Sequence, residues 1–260
     1  MSQGYNPYPG LFRKHGEGVM NMGLTAEYLA RKYQVPRADQ DAFALRSHRL
    51  AAEATDSGAF QNEILPTWGR DESGRKVPLV ADQCIRRDTS AEVLASLSPA
   101  FDPSGSVTAG NSSPMNVGAA GILLMAEDKA RELGLKPMAR VKAMAVAGVH
   151  PEEMGVGPVP AVKKALLRAG LTLDQIDCVE INEAFAVQVL VVQKLLGLET
   201  DRLNTRGGAI AIGHPLGASG ARVVTTLLNR MRDEKATYGL ASLCVGMGQG
   251  VATIFEACPS

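Results

Sequence analysis

From Val107 onward, short β-rich segments alternate with helix-length segments, and this alternation restricts the possible fold more than any other feature of the chain. Val141 to Val149, Asp177 to Ile181, Gly208 to Ile212, Gly239 to Cys244 and Val251 to Phe255 are rich in strand-forming residues. Between them, Val117 to Leu133, Ala161 to Ala169, Ala184 to Leu196 and Ala218 to Met231 read as helices. Strands alternating with helices of this length cover both faces of a sheet, so the expected class is an α/β layered domain. The earlier part reads as mainly helical. Thr25 to Tyr33 is one helix; Ala38 to Ala54 is a second, opened after Pro36 and ended by Gly58, with Phe43, Ser47, Leu50 and Ala54 on one face. Thr67 to Asp88 is polar and glycine-punctuated around the single tryptophan, Trp68, and reads as a loop or hairpin. A boundary near residues 105 to 113 divides the chain into 1–110 and 111–260.

Charge and cysteine content narrow the function classes. Twenty-seven basic residues balance twenty-seven acidic ones, so no global field favours nucleic acid or an anionic membrane. The longest apolar runs, such as Val187 to Leu196, fall short of the ~20 residues of a membrane span. Cys84, Cys178, Cys244 and Cys258 form no CxxC pair and have no histidine at metal-ligand spacing, so neither a metal site nor a disulfide framework is expected. The residues from Met1 to Gly10 have neither the apolar core of a signal peptide nor the character of a transit peptide. A cytoplasmic, reducing location is the expectation.

Three positions could carry chemistry. His214 sits between Gly213 and Pro215, expected at a strand end just before a helix, where helix-terminus amides favour the neutral ring; the alternative is a turn histidine bonded to backbone. Cys244 is delivered by a strand into glycines at 246, 248 and 250, which would let a substrate touch the backbone; the alternative is a small buried hydrophobe. The glycine spacing is not that of a dinucleotide-binding turn. Asn182, in Asn182-Glu183-Ala184-Phe185, follows a short strand and precedes a helix, where an ordinary N-cap is the alternative.

These segments resemble the thiolases. The run Asn204 to Gly220 around Gly213-His214-Pro215, the run Gly239 to Gly250 around Cys244, and Asn182-Glu183-Ala184-Phe185 are similar to that family's signatures. So are Met22-Gly23-Leu24-Thr25-Ala26-Glu27, Pro99-Ala100-Phe101-Asp102, Val107 to Ser113, and Met154 to Pro160, in the family's order over essentially the whole chain. The resemblance implies a layered αβα half-fold preceded by a mainly helical loop domain. It implies thiolytic cleavage of 3-oxoacyl-CoA to acetyl-CoA and a shortened acyl-CoA, with coenzyme A as substrate and no cofactor. It implies that His214 activates a nucleophilic cysteine by taking its proton, and that Asn182 holds a water which, with His214, binds the thioester oxygen. Cys244 would then exchange protons with the enolate and the incoming CoA, and the Gly246 amide would form part of a second oxyanion hole. Arg86, Phe101 and Ser113 would contact CoA, while Met154 and Phe185 would line the acyl pocket. A homodimer or tetramer is implied for the complete fold.

The chain also departs from the family pattern. Asn21 stands where many thiolases have histidine before Met22-Gly23, and Val117 follows Asn116 where an acidic residue is usual. Met1 aligns with an internal family position, so the nucleophile-bearing first third is expected to be missing. This polypeptide alone is then expected to be incompetent, completed by a separate N-terminal chain or a β-oxidation multienzyme partner. Two other readings stand beside this one: a biosynthetic acetoacetyl-CoA thiolase, and a non-catalytic acyl-CoA- or lipid-binding remnant.

Overall fold

The computed structural model describes residues 10, 13, 14, 21–71 and 73–258; the reading of residues 1–9 lies outside these. Helix α1 (Met22–Tyr33) begins where the Asn21 side chain accepts the amides of Gly23 and Leu24, and ends at Gln34 in the left-handed region. Helix α2 (Arg37–Asp56) follows Pro36, whose fixed φ suits a helix start. The polar segment after it is a hairpin, β1 (Thr67–Arg70) against β2 (Lys76–Leu79), followed by the short helix α3 (Ala91–Ser96).

The second part is built on a four-stranded sheet. Strands β3 (Ala139–Gly148), β4 (Cys178–Ile181), β5 (Tyr238–Val245) and β6 (Gln249–Ala257) lie in the order β3-β6-β5-β4. The β4–β5 pair is parallel and the other two are antiparallel. Strand alternation sends Val179, Leu240, Cys244, Ala252 and Ile254 to one face, into the larger core with α5 (Pro158–Ala169). Cys178, Ala241 and Phe255 point to the other face, where α8 (Ser219–Asp233) places Val223, Leu227 and Met231 over them. Helix α6 (Ala186–Leu196) joins the larger core and packs between α5, α1 and α2. The result is the expected αβα layering, with the helical first part against one side.

Two segments differ from the sequence reading. Residues 117–133 are helical only in α4 (Glu127–Glu132). Val117, Leu123 and Leu124 are exposed, so the apolar stripe that suggested a longer helix has no surface to pack on, and packing supplies most helical stability. Gly208 to Ile212 is not a strand: Ala209–Ile212 is a one-turn helix, α7, all four residues buried. A short apolar run cannot be assigned by periodicity alone, and here tertiary hydrogen bonds select the helix.

Candidate functional site

The centre of the site is assembled from the ends of three elements. Asn182 follows β4, and its backbone N–H donates to the Ser242 carbonyl of β5, two residues before Cys244. His214 follows the C-terminus of α7 rather than a strand, after Gly213 at φ +104°, a conformation that favours glycine. The Asn182 Nδ2 and His214 Nε2 atoms lie 3.3 Å apart. On the other side of the ring, Nδ1 lies 2.5 Å from the Ser219 hydroxyl at the start of α8. The His214 backbone N–H donates to Asn116 Oδ1 at 2.9 Å, which ties the turn to the 114–118 segment. An open depression of about 470 Å³ adjoins this turn, lined by Asn116, Val117, Gly118, Pro215 and Leu216 among others.

Electrostatics hold His214 neutral. Burial and then the nearby Arg222 cation both lower its pKa, so at neutral pH the ring can accept a proton. Asn182 is fully buried and its Oδ1 has no partner among the described residues, which leaves a polar acceptor beside the ring. Cys244 is buried, and desolvation pushes its thiol up to about 12, so it remains protonated.

The three glycines after Cys244 have separate roles. A Cβ on Gly250 would fall 2.0 Å from the Gly157 carbonyl, and one on Gly248 would meet the Val149 carbonyl at 2.4 Å. These two are required by close backbone packing, contrary to the expectation that substrate access explains all three. A Cβ on Gly246 would meet only Met22 Sδ, at 3.7 Å, so of the three positions this one alone has room for a side chain.

The other expected residues fall into two groups. Phe101 and Phe185 meet edge to face at 5.9 Å, and Phe101 packs over the Cα of Gly23. Ser112 bridges to Phe185, and the Ser113 N–H donates to the Ala184 carbonyl, so the 106–113 loop lies along the Asn182–Phe185 segment. Met154, Phe185 and Cys244 share the larger core. Arg86 stands apart from them: it is exposed, and its N–H donates to His48 Nδ1 on α2. Among the described residues no group of three or more His, Cys, Asp and Glu side chains could hold a metal.

Residues the sequence reading passed over complete the centre. Glu183 is fully buried and accepts from the Ser47 hydroxyl at 2.6 Å, Asn204 Nδ2 at 2.8 Å and the Ile210 N–H at 3.2 Å. Burial raises its pKa, and these hydrogen bonds oppose that shift. Ser47 also accepts the Gly208 N–H, so one cluster joins α2, the end of β4 and the start of α7. The available signal was a second glutamate in the short strand-to-helix junction after Glu180 and Asn182, where a buried charge requires partners.

A thiolase N-terminal domain profile matches residues 10–128, and a thiolase C-terminal domain profile matches 135–257. The 3-ketoacyl-CoA thiolases of Marinomonas sp. (strain MWYL1) and Escherichia coli O1:K1 / APEC are each 55% identical over 260 residues, 98% of this chain. The chain spans about two thirds of the length of these relatives, 66% and 67% respectively. The crystal structure of the Bacillus anthracis acetyl-CoA acetyltransferase superposes with a TM-score of 0.88 at 46% identity, over 91% of this chain and 60% of that one. The human mitochondrial 3-ketoacyl-CoA thiolase does so with a TM-score of 0.86 at 36% identity, over 99% and 66%.

Proposed function

Because this chain belongs to the thiolase family, we propose that it forms the proton-transfer and oxyanion-binding part of an acetyl-CoA C-acyltransferase that cleaves 3-oxoacyl-CoA with CoA. The observation that carries this reading is the 3.3 Å approach of Asn182 to His214, with Asn182 anchored to the strand that bears Cys244. Neutral His214 takes the proton of a nucleophilic cysteine lying outside these 260 residues, and the thiolate attacks the 3-oxo carbonyl. As the carbon–carbon bond breaks, the acyl group stays on that cysteine and the electron pair passes to the enolate of acetyl-CoA. The imidazolium of His214, with a water on Asn182, stabilises the enolate oxygen, and the Cys244 thiol supplies the proton to carbon. Cys244, now a thiolate, takes the proton of incoming CoA, whose sulfur attacks the acyl group, and the nucleophilic cysteine leaves as a thiolate that recovers its proton from His214.

Phe101 and Ser113 lie beside the Phe185 segment and suit a CoA-contacting role, with Met154 and Phe185 toward the acyl chain. Arg86 is a CoA contact only through an arm that reaches the site. The cysteines are free, which supports a reducing, cytoplasmic setting. No helix of the described residues is long and apolar enough to cross a membrane.

The test follows loss of 3-oxoacyl-CoA on adding CoA, with this chain alone and with a polypeptide carrying the nucleophilic cysteine. Turnover is expected only in the second case, and His214→Ala is expected to lower it by roughly 10²–10⁴-fold. Full activity of His214→Ala would sink this assignment.

A further inference from the structure

The neighbours of His214 determine which ring nitrogen carries the proton. Asn182 presents its amide nitrogen, a donor, to Nε2 at 3.3 Å. At 2.5 Å from Nδ1, the Ser219 hydroxyl also lies 3.1 Å from the Pro215 carbonyl, an acceptor that the Ala218 and Ser219 N–H groups share. With its single proton directed to that carbonyl, Ser219 presents only lone pairs to Nδ1. Both contacts select a ring protonated at Nδ1 and unprotonated at Nε2. Ser219 is fully buried at the first position of the 15-residue helix α8, so its hydroxyl is held in place by the helix.

We propose that Ser219 is a positioning residue that holds His214 as its Nδ1–H tautomer, keeping the Nε2 lone pair available as the proton acceptor. The catalytic consequence rests on the function proposed above; the tautomer does not. A neutral imidazole without such a partner favours the Nε2–H form, in which the nitrogen facing Asn182 could not act as a base. The same chain contains an opposite case. His48 Nδ1 accepts the Arg86 N–H at 3.1 Å, so its proton resides on Nε2.

Long-range ¹H–¹⁵N correlation spectra of ¹⁵N-histidine-labelled protein distinguish the two forms, and His214→Asn identifies the His214 signals. In the unsubstituted protein, His214 is expected as Nδ1–H and His48 as Nε2–H. Ser219→Ala should move His214 toward Nε2–H while His48 stays unchanged, and Ser219→Thr, which keeps a hydroxyl, should restore the first pattern. With the complete enzyme, Ser219→Ala should lower kcat and leave KM in place. An Nε2–H signal for His214 in the unsubstituted protein overturns the proposal, whatever the fate of the variants. So does a tautomer that Ser219→Ala leaves unmoved. The spectrum needs no turnover, so a protein that shows the expected tautomers yet never cleaves 3-oxoacyl-CoA removes the proposed function and supports the role of Ser219.

Discussion

The chemistry of single side chains here follows from burial before any partner acts. Cys244 and Cys178 are both buried with thiols pushed up to about 12, by desolvation in each case, whereas Cys84 and Cys258 are partly exposed. An alkylating reagent should therefore label Cys84 and Cys258 in the native protein and reach Cys178 and Cys244 only after denaturation, as peptide mass mapping would show; early labelling of Cys244 would contradict this order. His48 gives a pH dependence of definite sign. Burial, with the Arg86 charge second, lowers its pKa from 6.5 to about 4, so the folded state binds this proton less readily than the unfolded chain. Above pH 6.5 the group contributes no penalty; stability falls as the pH drops from there and levels off below about 4. The full span is roughly 3 kcal/mol. The urea midpoint should fall less between neutral and acid pH for His48→Gln than for the unsubstituted protein, and an equal fall in both would remove His48 from the acid limb. His214 and Cys244 were singled out in the sequence by their glycine and proline frames, and Asn182 by its place between a strand and a helix and by the family resemblance. Ser219 and His48 were not, because their significance lies in partners 5 and 38 positions away.

At the scale of elements, the polar cluster on Glu183 explains both what the sequence revealed and what it concealed. Helices α1, α2, α5, α6 and α8 and strands β3 to β6 follow local periodicity and are where the pattern placed them. Helix α7 does not follow it: its first turn is held by the Glu183 carboxylate at Ile210 N–H and by Ser47 at Gly208 N–H, contacts 27 and 161 residues apart. A one-turn helix of four residues cannot sustain itself, so these tertiary bonds decide its conformation. Since α7 leads directly into Gly213 and His214, the cluster also sets where the ring stands. Ser47→Ala would leave Glu183 and the Gly208 N–H each short of a partner in a fully buried setting. A loss of about 1–3 kcal/mol in folding stability is expected, read as a lower denaturant midpoint. A midpoint unchanged by Ser47→Ala would show that the cluster does not hold α7.

At the scale of the whole molecule, the surface is unusual in the apolar groups it leaves in water. Leu123 is 78% exposed, Leu124 73% and Leu216 81%, and on the edge strand β3 Met144 and Val146 are exposed as well. The open edge of β3 is itself guarded, because α5 directs Arg168 to the Met144 carbonyl and Lys164 to the Val146 carbonyl. Backbone pairing at that edge is therefore blunted, and the association-prone element is the side-chain surface of residues 115–125. Exposed apolar area beyond a few hundred Å² marks an interaction site or an aggregation liability. The chain on its own should accordingly self-associate, seen as a weight-average mass that rises with concentration in sedimentation equilibrium. Replacing Leu123 and Leu124 by lysine should suppress that rise and leave the far-ultraviolet circular dichroism unchanged, since both side chains already face solvent. A mass fixed at one copy over the accessible concentrations would mean that this surface is tolerated in water. Association undiminished in the double lysine variant would move the contact elsewhere, with the exposed side chains of β3 as the next surface to alter.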